Sequence, residues 1–294
     1  DIMPIFSHMM QICAHTLAPG RVRVRLSMRE LALLCELARF DVPGSLLPRI
    51  DCCLTAGMFA AALESTEPEN ALLKAIPNNR ALSSLQMIDY RNRNGQTGFV
   101  GCAWAVKGGE TVCVFRSSEA RALGDGGFED WTDNFLAPFS GSVQYPDVRA
   151  FIAPYKNREK LVFTGHSKGA HNALYALRVT QNLHAVCRCF DGQGFSLGQI
   201  KGDAARRLQK RAVNFVQQND IVGALLCHPE TRVFVKSVAG RNAHALDALS
   251  FDILGEAVAG RRPCLSRVVQ LASCAAASFL QIKAGSARPG GLTW

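Results

Sequence analysis

Apolar residues recur three and four apart along Glu30–Phe40, Thr55–Leu63 and Glu69–Ile76, the spacing that gathers them on one face of a helix. Pro43, Pro48, Pro68 and Pro77 separate these runs, so residues 1–90 read as a mostly helical N-terminal extension or cap. From about Thr97 the texture changes. Phe99–Val106 and Thr111–Phe115 are β-rich and flank Lys107-Gly108-Gly109-Glu110, a hairpin signal. An acidic, glycine-rich loop, Gly124–Asp130, and the segment Trp131–Phe139 precede a helix expected around Val148–Tyr155. Short apolar runs then follow at Leu161–Thr164, His184–Phe190, Ala212–Gln217 and Thr231–Ser237, with helical segments at Ala170–Thr180 and Asp203–Arg211 between them. Strands alternating with helices imply a mostly parallel sheet with right-handed crossovers, which makes residues 91–294 an α/β core. Ser266–Ile282 reads as a C-terminal helix that covers it.

Composition narrows the class only a little. With 294 residues, 48% hydrophobic and 19% charged, the chain has the makings of a globular protein with a sizeable core, and neither disorder nor a fibrous repeat is indicated. The longest weakly polar stretch, Leu271–Leu280, falls well short of the roughly 20 residues a membrane-spanning helix needs. Ile2–Ala18 is apolar but lacks a preceding basic segment, so no signal peptide is expected. Cysteines such as Cys35, Cys102, Cys113, Cys187 and Cys274 sit among apolar neighbours, the pattern of reduced, buried thiols and of a cytoplasmic setting, with export by a non-classical route left open. Neither Cys52-Cys53 nor Cys187-Arg188-Cys189 has metal-binding spacing and no histidine pair completes a tetrahedral zinc set, so no metal is expected; no cofactor is expected either.

The formal net charge of +9 raises the question of an anionic partner. Basic residues gather at Arg206, Arg207, Lys210, Arg211 and at Arg261, Arg262, Arg267, but at helical spacing and without interleaved aromatics for stacking on bases. Nucleic acid is therefore not expected. Peripheral contact with an anionic membrane stays open.

Two pentapeptides match G-x-S-x-G: Gly165-His166-Ser167-Lys168-Gly169 and Gly194-Phe195-Ser196-Leu197-Gly198. A nucleophilic serine in this motif must stand in a strained strand-to-helix turn, with glycines on both sides for close backbone approach. The first match has a strand directly before it, Lys160–Thr164, and a helix of small residues directly after it. In the second, Asp191-Gly192-Gln193 separates strand from turn and Gly202 interrupts the presumed helix, so Ser167 is preferred to Ser196. Such a turn also places the backbone N–H of Lys168 at a helix N-terminus, where developing negative charge is favoured, while the lysine side chain is expected to reach solvent.

A serine hydroxyl needs an imidazole to take its proton and a carboxylate to orient the imidazole, in the chain order serine, acid, histidine. His171, His184, His228 and His244 follow Ser167. His244, in a loop beyond the strand Thr231–Ser237, is the best-placed base, with His228 behind it. Asp220, just past Ala212–Gln217, is the favoured acid, and Asp191 competes. Asp220 could equally be an N-cap, and Asp191 part of an Asp-Gly turn.

Four blocks in sequence carry a resemblance: Val114-Phe-Arg-Ser-Ser118, Asp130-Trp-Thr-Asp-Asn134, Phe163-Thr-Gly-His-Ser-Lys-Gly169 and Asn214-Phe-Val-Gln-Gln-Asn-Asp-Ile-Val-Gly223. A fifth is Phe190-Asp-Gly-Gln-Gly-Phe195. In these the chain resembles the lipase-like α/β-hydrolases related to the fungal class 3 lipases, and especially the bacterial Mbeg-like group. The likeness spans about residues 97–253. It implies an α/β-hydrolase core, supports Asp220 and His244, and assigns the second oxyanion donor to Ser118. The family's usual Arg-Gly-Thr is Arg116-Ser117-Ser118 here, so a glycine is lost at Ser117. Asp130, Trp131 and Asn134 would be structural.

The expected activity is that of a serine hydrolase cleaving carboxylic esters, with lipid acyl esters as the implied substrates and Ser167, Asp220 and His244 as the catalytic set. Two alternatives stand beside it. The lost glycine would suit a binding module that keeps the fold without the chemistry, and the same three residues would serve a thioesterase or acyltransferase.

Overall fold

The computed structural model describes residues 24–117 and 142–286, with residues 278–286 described by their backbone alone. Seven strands form one sheet in the order of the sequence: β1 (Gln86–Arg93), β2 (Phe99–Val106), β3 (Glu110–Phe115), β4 (Lys160–Gly165), β5 (Val186–Phe190), β6 (Ala212–Gln217) and β7 (Thr231–Val235). β1, β2 and β3 pair antiparallel, and β3 through β7 pair parallel.

The helices between the parallel strands are α4 (Tyr145–Ile152), α5 (Lys168–Val179) and α6 (Gly202–Arg211), numbered after three N-terminal helices. When strands are added one after another in the same direction, right-handed crossovers put every connecting helix on the same face. The alternation along each strand shows this. Cys113, Phe115, Leu161, Phe163 and Cys187 pack with α4 and α5, whereas Val112, Val114, Val162, Val186 and Phe190 point the other way. That second face is covered by α1 (Met28–Leu37), α2 (Ala56–Leu63) and α3 (Ala71–Asn78), whose Leu31, Leu34, Phe59 and Ile76 share one core with the sheet. With both faces buried, the central strands read as unbroken apolar runs, as in parallel sheets generally.

Local chemistry explains how α1 is held. Ser27 and Glu30 form a reciprocal capping box at its start. At its end the buried Arg116, from the chain just beyond β3, donates from Nε to the Ala38 carbonyl at 2.8 Å and pairs with Asp41 at 2.6 Å. A cation against the last carbonyls of a helix is well placed for the helix dipole.

Several expected boundaries shift. β1 lies within the stretch read as helical; its sequence, Gln-Met-Ile-Asp-Tyr-Arg-Asn-Arg, carries no clean alternation because it is an edge strand with only Met87 fully buried. The last helix, α7, runs Cys264–Ser286, and its described side chains, through Ala277, enter neither core cluster, contrary to the expectation that it covers the core. It rests on the turns Leu197–Gln199 and Val222–Ala224, leaving Leu265, Val268 and Leu271 more than 60% exposed. Its many alanines and serines are small enough to lie on turns and offer little apolar area to a core. Among the described residues no helix is long and apolar enough to cross a membrane and no disulfide forms; Cys35, Cys102, Cys113 and Cys187 are buried as expected, whereas Cys274 is only half-buried. A mostly parallel sheet walled by helices on both faces gives the chain the α/β-hydrolase fold.

Candidate active site

β4 ends at Gly165, and α5 begins at Lys168, so the chain reverses its character within two residues. Ser167 takes the bend with φ 56° and ψ −119°, a conformation L-residues seldom adopt and one that persists only when the surroundings enforce it. They do. The Ser167 N–H donates to the Phe190 carbonyl at 3.0 Å, which ties the turn to the end of β5. A Cβ on Gly165 would stand 2.3 Å from the Gly169 carbonyl carbon, and one on Gly169 would stand 2.1 Å from the Phe115 carbonyl oxygen. The two glycines of the pentapeptide thus let helix, turn and neighbouring strand pass in backbone contact.

The Ser167 Oγ lies 2.8 Å from Nε2 of His244, and Nδ1 of the same ring lies 2.8 Å from Oδ1 of Asp220. With Nδ1–H donating to the carboxylate, Nε2 keeps the lone pair that accepts the serine hydroxyl. His244 stands in the loop after β7, where Asn242 Oδ1 accepts its backbone N–H. Asp220 follows β6 and is buried. It also accepts the N–H groups of Val222 and Gly223, capping the turn Val222–Ala224, so its carboxylate orients the ring and caps a turn at once. Burial works to lower the His244 pKa, but the hydrogen bond and charge of Asp220, with the charge of Asp191, outweigh it and raise the value above the ordinary 6.5. In such an arrangement the serine proton has an acceptor and the resulting imidazolium has a counter-charge.

The competing residues lie elsewhere or face other groups. Ser196 is buried and forms a capping box with Gln199. Both ring nitrogens of His228 are engaged, with Glu230 Oε1 at 2.6 Å and the Leu225 carbonyl at 2.8 Å. His171 bonds Tyr145 and the Gln193 carbonyl inside the core, and His184 is exposed at the amino end of β5. Lys168 is buried, not solvent-reaching as expected, because the first turn of α5 is sunk against the carbonyls of Phe115 and Arg116. Ser118, Asp130, Trp131 and Asn134 lie outside the described residues.

Asp191 is fully buried at the end of β5 and bonds Gln217 rather than His244. Its two oxygens accept the Gln217 backbone N–H at 2.7 Å and side-chain Nε2 at 2.9 Å. Burial, then the charge of Asp220, push its carboxyl far above the usual carboxylate range. The Gln217 amide also donates to the Ala245 carbonyl at 2.9 Å and so tethers the residue after His244. Beside it His166 is buried, its ring centroid 4.8 Å from that of His244. Burial, then His244, hold the His166 ring well below the ordinary histidine range. Gln217 and His166 escape the sequence reading; that His166 precedes the serine and Gln217 closes a strand are the only signals, and neither is specific.

A family model described as Mbeg1-like matches residues 76–257. No curated protein matches the chain. Among solved structures, a mutant form of MDLA from Penicillium cyclopium is similar at 14% identity and a TM-score of 0.45, over 79% of this chain and 85% of that one. The Lip2 lipase of Yarrowia lipolytica is similar at 13% identity and a TM-score of 0.42, over 84% and 90%. A structure described by an unusual buried polar cluster in a family of fungal lipases stands at 15% identity and 0.43, over 82% and 92%. The family match takes in β1 through β7 and all three residues of the hydrogen-bonded set, and on it the chain belongs to the Mbeg1-like family.

Proposed function

We propose that the chain is a serine hydrolase of carboxylic esters, with lipid acyl esters as its substrate class. Ser167 attacks the carbonyl carbon as His244 takes its proton. Asp220 keeps the ring in the productive tautomer. The protonated ring then gives its proton to the leaving alcohol, and water releases the acid from the acyl-enzyme by the same route. The backbone N–H of Lys168, at the start of α5, and that of Ser118 are the proposed donors to the oxyanion. The observation that carries this reading is the unbroken pair of 2.8 Å contacts from Asp220 through His244 to a serine held at positive φ.

The lipid part rests on the surface near the site. α7 exposes Leu265, Val268 and Leu271, with Arg261 and Arg267 exposed beside them, and it leans on the turn that follows Asp220. Apolar side chains flanked by arginines suit the face of an anionic membrane.

Fluorophosphonate labelling tests the chemistry. The folded chain is expected to label once, and Ser167→Ala to abolish it; a chain that stays unlabelled, or labels equally after the substitution, is a binding module instead. An ester panel graded by acyl length, with and without anionic vesicles, tests the substrate class, and preference for thioesters or for acceptors other than water would overturn it.

A further inference from the structure

Next to Ser167 lies a group of polar atoms that the proposed proton relay does not use. Nε2 of His166 faces Oδ2 of Asp191 at 3.8 Å, too far for a hydrogen bond, and no hydrogen-bond partner reaches that nitrogen among the described residues. A buried ring nitrogen without a partner is costly, so its aim asks for an explanation. Two atoms that each stand about 2.0–2.2 Å from a tetrahedral zinc ion are about 3.3–3.6 Å apart, so this pair would close by a few tenths of an ångström on an ion. His244 closes the third side: one ligand atom from each of His166, Asp191 and His244 lies within 4.8 Å of the others.

The surroundings are those of supported ligands. Both Asp191 oxygens are fixed by Gln217, and the His166 ring packs against that of His244 with centroids 4.8 Å apart. His166 and Asp191 are buried, whereas the His244 side chain is 30% exposed and offers a way in.

We propose that His166, Asp191 and His244 form a binding site for a divalent transition-metal ion, zinc foremost, and that filling it switches the Ser167 site off. Two imidazoles and a carboxylate suit zinc, with a water or the serine oxygen as fourth ligand; magnesium and calcium prefer all-oxygen sets. The inhibitory part rests on the hydrolase reading above. His244 has one lone pair in its neutral tautomer, at Nε2, and a metal ion that takes it leaves none for the Ser167 proton. The ligands stand at 166, 191 and 244 and share no short spacing, so the expectation of no metal site, drawn from cysteine spacing and from the lack of a histidine pair to complete a zinc set, is blind to them.

Calorimetry with zinc tests binding apart from catalysis. It is run on a Ser167→Ala chain that also carries Cys52→Ser and Cys53→Ser, because those two thiols are exposed and 3.5 Å apart and would bind the ion themselves. One ion per chain is expected, weakened more than about tenfold by His166→Phe, since even outer-shell changes typically cost that much. Cobalt substituted for zinc should show tetrahedral visible bands without thiolate charge transfer. With Ser167 in place, zinc should slow fluorophosphonate labelling about tenfold or more, a chelator should reverse it, and millimolar magnesium should not reproduce it. Equal affinity in the His166→Phe chain, or zinc that binds and leaves labelling unchanged, overturns the proposal. Should that variant fail to fold, Asp191→Asn is measured in the same way. If Ser167 never labels, the hydrolase reading falls, while calorimetry and cobalt spectra still decide the site.

Discussion

Ser167 Oγ stands 2.8 Å from His244 Nε2 although 77 residues of chain separate them. Each comes from the carboxyl end of a parallel strand, one at the turn after β4 and one in the loop after β7, and Asp220 arrives from the end of β6. Parallel strands deliver all their outgoing loops to the same edge of the sheet, which is how distant parts of the chain meet there.

The raised pKa of His244 fixes the shape of the activity profile. In the proposed mechanism the neutral ring is the base, so kcat/KM should climb with pH along a limb centred above the ordinary 6.5. Asp220→Asn removes the charge and the charge-assisted hydrogen bond that do most to hold the value up, leaving burial opposed by the charge of Asp191. The limb should move to lower pH while the plateau falls by about 10³–10⁴-fold. A native limb at or below the ordinary value would contradict the assignment. The same shift bears on stability: a histidine with a raised folded pKa contributes fully below its unfolded value, and the contribution is lost as pH rises through the folded pKa.

Gln217→Met should act through position alone. It deletes the amide that bonds both Asp191 and the Ala245 carbonyl, loosening the backbone next to His244. A net hydrogen-bond loss of about 1.4 kcal/mol would lower kcat about tenfold, with KM little changed and the acid limb still above the ordinary value. A rise in KM at constant kcat would mean that Gln217 serves binding.

Gly169→Ala should unseat α5. The added methyl would meet backbone oxygens of Phe115 and Arg116, at 2.1 and 2.7 Å, and neither can rotate away. A loss of about 3 kcal/mol or more in urea unfolding is expected, against less than about 0.5 kcal/mol for Gly44→Ala, whose surroundings are open. Equal midpoints for the two variants would show that the glycine contact is not needed.

The parts of the site legible in the sequence are those governed by local rules or by chain order. GHSKG announces its turn because a strand, two glycines and a helix of small residues follow one another without interruption. Asp220 and His244 are reached because a strand precedes each and the order serine, acid, histidine leaves few candidates. β1 is not legible, since an edge strand with one fully buried residue has no period to read. Nor are the burial of Lys168 and the partnership of Asp191 with Gln217, which depend on what neighbouring strands bring into contact. The position of α7 escapes for a related reason: periodicity tells which side of a helix is apolar, not whether anything will lie against it.

Strand order has one more effect. Because β3 through β7 follow one another without a reversal, every crossover helix is spent on the same side, and Val112, Val114, Val162 and Val186 on the opposite side are roofed by α1, α2 and α3, of which all but the last turn of α3 precedes the matched span 76–257. A relative that shared only that span would inherit a naked aliphatic wall and would have to shelter it with chain of its own or with a companion subunit.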